Sequence, residues 1–314
     1  ELDLDQVNAA SAALRSRPRD ADGRVELAMA DSLWVSPSFQ LSPEFVRRVQ
    51  RAYDARVEPL DPGDPGALAR VNRWVSDQTR GMIPRIVDRL PNLAALLVLD
   101  AIYFNGRWRQ AFDPTRTRDR PFHRPGGNDA PVPMLAQAGR YPYLAERLFE
   151  AVALPYGDGS ISLDIFLPRP GVAIGSLLPA LDAERFEGWA RALSPREGDV
   201  VLPKLALGQT WDLRGALERL GLSDAFTPGR ADFRGISATR GLAIGDVKHR
   251  ATIQVDEAGT VAAAATSVGM VFTAMLPMPR RFHVVADRPF VFVIREQPSG
   301  VALFLGVVVD PGEA

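Results

Sequence analysis

Histidines and carboxylates are the residue types of this chain that could carry acid–base or metal chemistry. The sequence has three histidines, His123, His249 and His283, and no cysteine. They lie far apart, and the chain contains no HExxH, GxSxG, P-loop or complete GxGxxG motif. We therefore expect a protein that is not an enzyme, with no catalytic residue, no metal site and no cofactor. His123 and His283 are interpreted as ordinary core or surface residues.

Asp100 is the carboxylate with the most unusual surroundings. It lies inside the run ALLVLDAIYF, which is apolar on both faces and typical of a central strand buried under helices. An ionised carboxylate without a partner is costly in such a place. Asp100 therefore needs a partner from another part of the chain.

A second unusual stretch joins small residues to an apolar segment broken by prolines. Residues 255–269 read VDEAGTVAAAATSVG, and MVFTAMLPMP follows. Taken alone, the alanines favour a helix that Thr260 could cap. The alternating segment ATIQV just before them favours a strand that leads directly into the run. Pro277 and Pro279 argue against a buried strand in the apolar segment.

The composition is that of one globular domain stabilised by packing alone. The chain has 314 residues, 46% hydrophobic and 24% charged, with a formal net charge of −1. Charges of both signs are mixed along the chain, without the basic excess that binds nucleic acid or an anionic membrane. No apolar run is long enough for a membrane-spanning helix. We expect neither partner. The absence of cysteine does not indicate whether the protein works in an oxidising or a reducing compartment. A secreted or extracellular location is the working expectation.

Helices precede strands along the chain, which predicts an α+β fold. Capping and periodicity predict four helices: one carrying Leu4, Val7 and Leu14 up to Pro18, one opening at Ser42-Pro43-Glu44, one from Asp64-Pro65 to Gly81, and one over Thr210 to Leu220 closed by Gly221. SISLDIFL is predicted as a strand with alternating burial. PFVFVI and VALFLGVVV are predicted to form a hairpin of two buried strands around EQPSG.

The order of segments resembles the serpin family over nearly the whole chain, from Glu26 to Pro311. The matching segments include NRWVSDQTRGMI, LVLDAIYFNGRWRQAF, AVALPYGDGSISLDIFLP, HRATIQVDEAGTVAAAAT and DRPFVFVIREQPSGVALFLGVVVDP. The resemblance implies one serpin domain over residues 1–314, with three β-sheets, surrounding helices and an exposed reactive-centre loop at about 257–281. Family members carry several dozen residues before the point matching residue 1. The resemblance thus implies an N-terminally incomplete chain, whether those residues are missing from the numbering or the chain is a shortened serpin.

The resemblance also implies a function as a suicide substrate of serine proteases. After the target cuts the loop, the hinge enters the main sheet as a new strand. Small side chains suit such a strand, and Gly259 tolerates the dihedrals of a pivot. Ala258 departs from the charged or polar residue often found there. The hinge residues that match the family are Glu257, Gly259, Thr260, Ala262, Ala263, Ala264 and Ala265.

Two positions are open for the scissile bond. Counting from Glu257 puts the cut at Thr273–Ala274, where about 14 inserted residues at roughly 3.3 Å each span nearly 50 Å. Counting back from Arg288 puts it at Met275–Leu276. The loop has no Lys or Arg between Glu257 and Pro279, so we expect an inhibitor of an elastase-, chymotrypsin- or subtilisin-like protease rather than a trypsin-like one. We also expect the protein to be a monomer.

The resemblance carries over two further sites and leaves one rival function. His249 matches the family's histidine of the shutter, where the main sheet parts, and we predict a contact with Asp100, a position where the family usually has an amide. A neutral hydrogen bond from Asp100 to the backbone is the alternative. Trp108 matches the family tryptophan of the breach, near the top of that sheet. The rival function is a non-inhibitory binding or chaperone-like module, whose hinge would usually carry bulky, charged or proline residues.

Overall fold

The structure is a computed structural model that describes residues 3–16, 24–90, 96–259 and 281–312. Its strands are β1 (Val25–Val35), β2 (Arg56–Pro59), β3 (Leu96–Gly106), β4 (Arg118–Phe122), β5 (Ala130–Ala145), β6 (Phe149–Tyr156), β7 (Ile161–Pro168), β8 (Ser194–Pro203), β9 (Leu205–Asp212), β10 (Ile244–Val255), β11 (Phe282–Val285), β12 (Phe290–Glu296) and β13 (Ala302–Val308). Its α-helices are α1 (Leu4–Ser16), α2 (Pro43–Tyr53), α3 (Ala67–Gln78), α4 (Ile174–Leu177), α5 (Ala183–Ala192) and α6 (Arg214–Leu217). None of the described helices is long and apolar enough to span a membrane.

The strands form two hydrogen-bonded sheets. The first has the order β2-β1-β3-β10-β9, and the second has the order β11-β8-β5-β6-β7-β12-β13, with β4 paired to β5. The α+β class is confirmed. The described strands form two sheets where three were expected, because the 16-residue strand β5 joins two of them into one. It pairs with β8 over most of its length and with β6 at its end.

The chain forms two compact units, each with its own apolar core. One unit consists of Glu1–Pro18, Leu27–Phe104 and Gly208–Thr252, and the other of Arg19–Glu26, Asn105–Leu207 and Ile253–Ala314. In the first, Val71 and Val75 of α3 belong to the same buried cluster as Leu97 and Leu99 of β3. The spacing of four residues places both valines on one helix face. Residues 96–104 of the run ALLVLDAIYF form a central strand of the sheet, as predicted, but one face is only partly buried. Asp100 lies on that face with 48% of its side chain exposed, so the expectation of a fully buried carboxylate is wrong.

In the second unit, β7 is buried at every position. The alternation predicted for SISLDIFL is wrong, because β7 lies between β6 and β12 and is covered by α5 as well. Phe166 of β7 packs against Phe186 and Trp189 of that helix. Full burial extends to Asp164, which is 0% exposed.

Two other predictions need correction. The helix predicted over Thr210 to Leu220 begins later than predicted, because β9 continues to Asp212 at the sheet edge and helical structure starts at Arg214. Its predicted end is present, since the helical backbone is broken at Gly221, which has φ +95°. The C-terminal hairpin is confirmed, with β12 and β13 antiparallel. However, β13 is a sheet edge and only partly buried, so that Leu305 is 63% exposed.

Candidate functional site

The chain leaves β10 through a tight turn at residues 256–259. The Asp256 N–H donates to the Gly259 carbonyl at 2.8 Å, and the Asp256 carboxylate accepts from the Ala258 and Gly259 N–H groups at 2.9 and 3.1 Å. Gly259 is buried with φ +124°, and a Cβ there would lie 2.1 Å from the carbonyl oxygen of Gly106. Only glycine fits this position. The pivot role of Gly259 during insertion stays a prediction.

The segment that follows β3 holds this turn through main-chain carbonyl groups. The Trp108 N–H donates to the Ala258 carbonyl at 3.0 Å, and its indole Nε1 donates to the Asp256 carbonyl at 2.9 Å. The Phe112 N–H donates to the Glu257 carbonyl at 2.7 Å. Trp108 is therefore placed directly against the hinge.

Packing keeps Trp108 in this position. The side chain is 4% exposed and stacks on Tyr156 with ring centroids 4.2 Å apart. Phe112 meets the same indole edge-on at 5.8 Å. Such aromatic pairs are each worth about 0.5–1.5 kcal/mol beyond the buried area. Tyr156 and Phe112 thus fix the orientation of the Trp108 indole that donates to the hinge turn.

Glu257 adds an electrostatic contact to the turn. Its Oε1 lies 2.8 Å from the Lys204 Nζ and accepts a hydrogen bond from the Thr117 hydroxyl at 2.8 Å. Burial alone would raise the pKa of Glu257, but the hydrogen bonds from Lys204 and Thr117 outweigh it and hold the pKa below its usual range. Glu257 therefore carries its charge at neutral pH. Sequence reasoning missed Lys204 and Thr117, since neither belongs to a motif.

Asp100 and His249 meet across the neighbouring strands β3 and β10. The His249 Nδ1 lies 3.0 Å from the Asp100 Oδ2, so the predicted contact is present. Trp211 of β9 stacks on the imidazole with ring centroids 5.5 Å apart. The role of this contact when the sheet parts stays a prediction.

A second carboxyl, which sequence reasoning missed, extends this contact to β1. Asp31 lies beside Asp100 and forms an ion pair with Arg15 of α1. Burial and the neighbouring Asp100 carboxylate, opposed by the Arg15 guanidinium, raise the pKa of Asp31 to about 6. We name Asp31, Asp100 and His249 the acid row. Its three side chains come from three adjacent strands.

Several residues predicted as functional lie outside the described residues. They are Thr260, Ala262, Ala263, Ala264 and Ala265 of the hinge, and Thr273, Ala274, Met275 and Leu276 of the two candidate scissile bonds. Their roles stay predictions.

The two remaining histidines are separate from the acid row. His123 pairs with Asp129 at 2.8 Å, and His283 is exposed on β11. Among residues 3–16, 24–90, 96–259 and 281–312, no group of three or more His, Cys, Asp or Glu side chains could hold a metal ion.

Similarity to known proteins decides the family of this chain. The family model for serpins, described as serine protease inhibitors, matches residues 1–311. The chain belongs to the serpin family. Plasminogen activator inhibitor 1 of Neovison vison is 33% identical to this serpin over 295 residues, which cover 91% of this chain and 72% of that protein. Leukocyte elastase inhibitor of Sus scrofa is 33% identical over 297 residues, covering 91% and 78%. The crystal structure of human thyroxine-binding globulin with thyroxine matches with a TM-score of 0.86 at 25% identity, over 98% of this chain and 80% of that one.

We expect the acid row to make the stability of this serpin pH-dependent. The folded pKa of Asp31, about 6, lies above the ordinary 3.8, so the folded state binds this proton more tightly than the unfolded state. The stabilising contribution is full below about pH 4 and is lost as the pH rises through about 6, by up to about 3 kcal/mol. An Asp31→Asn variant should therefore gain stability relative to the parent as the pH rises from 5 to 7.

Urea unfolding at several pH values measures this difference. Asp88→Asn is the matched control, since Asp88 is an exposed carboxylate paired with Arg85. A stability difference between Asp31→Asn and the parent that is constant across this pH range contradicts a titrating Asp31.

A Gly259→Ala substitution should loosen the hinge turn. The added Cβ meets the Gly106 carbonyl oxygen at 2.1 Å, and the positive φ adds backbone strain of about 1–3 kcal/mol. Hydrogen exchange of the Trp108 amide, which bonds to the turn, should become faster. Gly241→Ala is the control, because Gly241 also has a positive φ but open space around its Cβ. Equal losses of urea stability in the two variants would show that the close approach to Gly106 is unimportant.

Proposed function

We propose that this serpin inhibits a serine protease as a suicide substrate. The serine Oγ of the protease attacks the carbonyl carbon before the cut, the new N-terminus leaves, and an ester joins protease and inhibitor. Loop insertion then drags the protease and deforms its oxyanion hole before water hydrolyses the ester. The serpin catalyses nothing, and the outcome depends on insertion being faster than hydrolysis.

The direct pairing of β3 with β10 carries this proposal. These strands are hydrogen-bonded neighbours, and β10 ends at Val255 immediately before the hinge turn. A strand that enters between them replaces one hydrogen-bonded ladder by two. The released energy drives insertion. Thr260, the first residue after the turn, then enters first.

The loop sequence supports the choice of target. The segment between Glu257 and Pro279 has no Lys or Arg, so a trypsin-like pocket with a carboxylate at its base finds no cation. The proposed targets are elastase-, chymotrypsin- and subtilisin-like proteases. The proposed cut is Thr273–Ala274, with Met275–Leu276 as the alternative.

Mixing the serpin with each of these proteases and with trypsin tests the proposal. We expect a complex that survives SDS with at least one of the first three and none with trypsin. Mass spectrometry of the released C-terminal fragment identifies the cut, since cleavage at the proposed bond gives a fragment beginning at Ala274. Complete cleavage by all three proteases without any SDS-stable complex would contradict inhibition.

A non-inhibitory binding function is the second candidate. The structural likeness to thyroxine-binding globulin, whose crystal structure contains thyroxine, favours it. Nicking the loop separates the two candidates. A suicide inhibitor gains a central strand, so the nicked protein should melt at a clearly higher temperature than the intact one. Equal melting temperatures would favour the binding function.

A further inference from the structure

A cavity of about 730 Å³ lies within the second compact unit, beside the segment that holds the hinge. Its aromatic lining comes from Trp108, Phe112 and Tyr141, and alanine, leucine and proline residues complete most of the apolar wall. A cavity of this size with apolar walls and a few polar groups is typical of sites for small organic ligands.

Arg295 is the buried polar group of this cavity. It is 6% exposed, and its Nε donates to the Asp164 Oδ2 at 2.9 Å. Within residues 3–16, 24–90, 96–259 and 281–312, its two Nη nitrogens have no hydrogen-bond partner. A guanidinium has five N–H donors, and the fork of its Nη groups matches a carboxylate. The Nη groups of Arg295 can therefore donate to a ligand, while the bond from Nε to Asp164 fixes the position of the side chain.

The charge of the lining is positive. Arg109 and Arg140 line the cavity together with Arg295, and none of the described lining residues is a carboxylate. Three acids lie just outside the lining: Asp164, which pairs with Arg295; Asp158, whose pKa Arg109 helps to lower; and Glu197, the strand-register partner of Arg140. An anion in this cavity therefore faces three guanidinium groups in the lining, while the acids that neighbour them lie behind it.

We propose that this cavity is a binding site for a small organic anion, whose carboxylate pairs with Arg295 and whose apolar body contacts Trp108, Phe112 and Tyr141. Affinity comes from apolar burial, and selection for the anion comes from the otherwise unpaired Nη donors. A neutral amide of the same shape lacks the charge and binds more weakly.

Calorimetric titration of the intact protein with 2-naphthoate and with 2-naphthamide tests the proposal. We expect saturable binding of one naphthoate per chain, with the amide at least about tenfold weaker. No protease enters the experiment, so its result is independent of the proposed inhibitory function. No saturable binding of naphthoate, or equal affinities of acid and amide, overturns the proposal.

Three variants locate the site. Arg295→Lys keeps a cation beside Asp164 but loses the planar fork, and should weaken naphthoate binding about tenfold. Ala190→Phe extends a ring into the cavity from α5 and should abolish binding, whereas Arg185→Ala, on the same helix outside the lining, should not change it. If Arg295→Lys fails to fold, Ala190→Phe still decides. Parental affinity in Ala190→Phe would place naphthoate elsewhere and overturn the proposal.

Discussion

Replacing Thr260 by arginine is expected to abolish the SDS-stable protease complex while cleavage of the loop continues. Under the proposed mechanism this residue enters first between β3 and β10, and an unpaired guanidinium cannot be buried there without a cost of several kcal/mol. Insertion then becomes slower than ester hydrolysis, and the protein behaves as a substrate. Gel densitometry should show at least about a tenfold loss of complex, since 1.4 kcal/mol already changes a rate ratio tenfold.

Thr260→Val is the matched control, because it keeps the volume and removes only the hydroxyl group. It should form the complex at close to the parental yield. If Thr260→Arg traps the protease as well as the parent does, the loop does not enter the sheet at this position. The proposed insertion would then be wrong, even if the protein inhibits by another route.

Replacing Arg295 by methionine is expected to lower the free energy of unfolding by about 3–5 kcal/mol. The side chains of Arg295 and Asp164 are 7% and 1% exposed, and the Ser162 hydroxyl also donates to Asp164. Burial raises the pKa of Asp164, and Arg295 and Ser162 oppose that rise. Without the guanidinium, the carboxyl is left buried with most of its compensation gone. Urea unfolding at pH 7 measures the loss.

The double variant Asp164→Leu with Arg295→Met separates the lost partner from lost packing. Replacing both members of a buried ion pair by apolar residues of similar volume is often neutral or stabilising. The double variant should therefore recover most of the stability that the single variant loses. A double variant as unstable as Arg295→Met alone would show that packing, rather than the uncompensated carboxyl, causes the loss.

The sequence predicts those parts of the fold that depend on local pattern. β3 lies at the centre of its sheet, as its apolar sequence predicts, but one of its faces is only partly buried. The residues from Thr210 to Leu220 have helical spacing, but residues 210–212 belong to β9, which pairs at a sheet edge. Tertiary pairing overrides local propensity there.

The candidate site was predicted only where family motifs mark it. Asp31 has no such signal, since an aspartate within VELAMADSLWV looks like an ordinary solvent-facing residue of a half-buried strand. Its raised pKa arises from burial and from Asp100, which is distant in sequence and is brought near by strand register. The Asp164–Arg295 pair is only weakly indicated in the sequence, by an acidic residue in one apolar strand and a basic residue in another. Neither pairing can be derived from one strand alone.

The hydrogen bonds that hold the hinge turn end on the main-chain carbonyl groups of Asp256, Glu257 and Ala258. Every amino acid supplies such a carbonyl, so the identity of the Ala258 side chain has no part in these bonds. The unusual alanine there leaves the hold intact. Under the proposed mechanism, substitutions at the residues next to the scissile bond would therefore change which protease is inhibited and leave these main-chain hydrogen bonds in place.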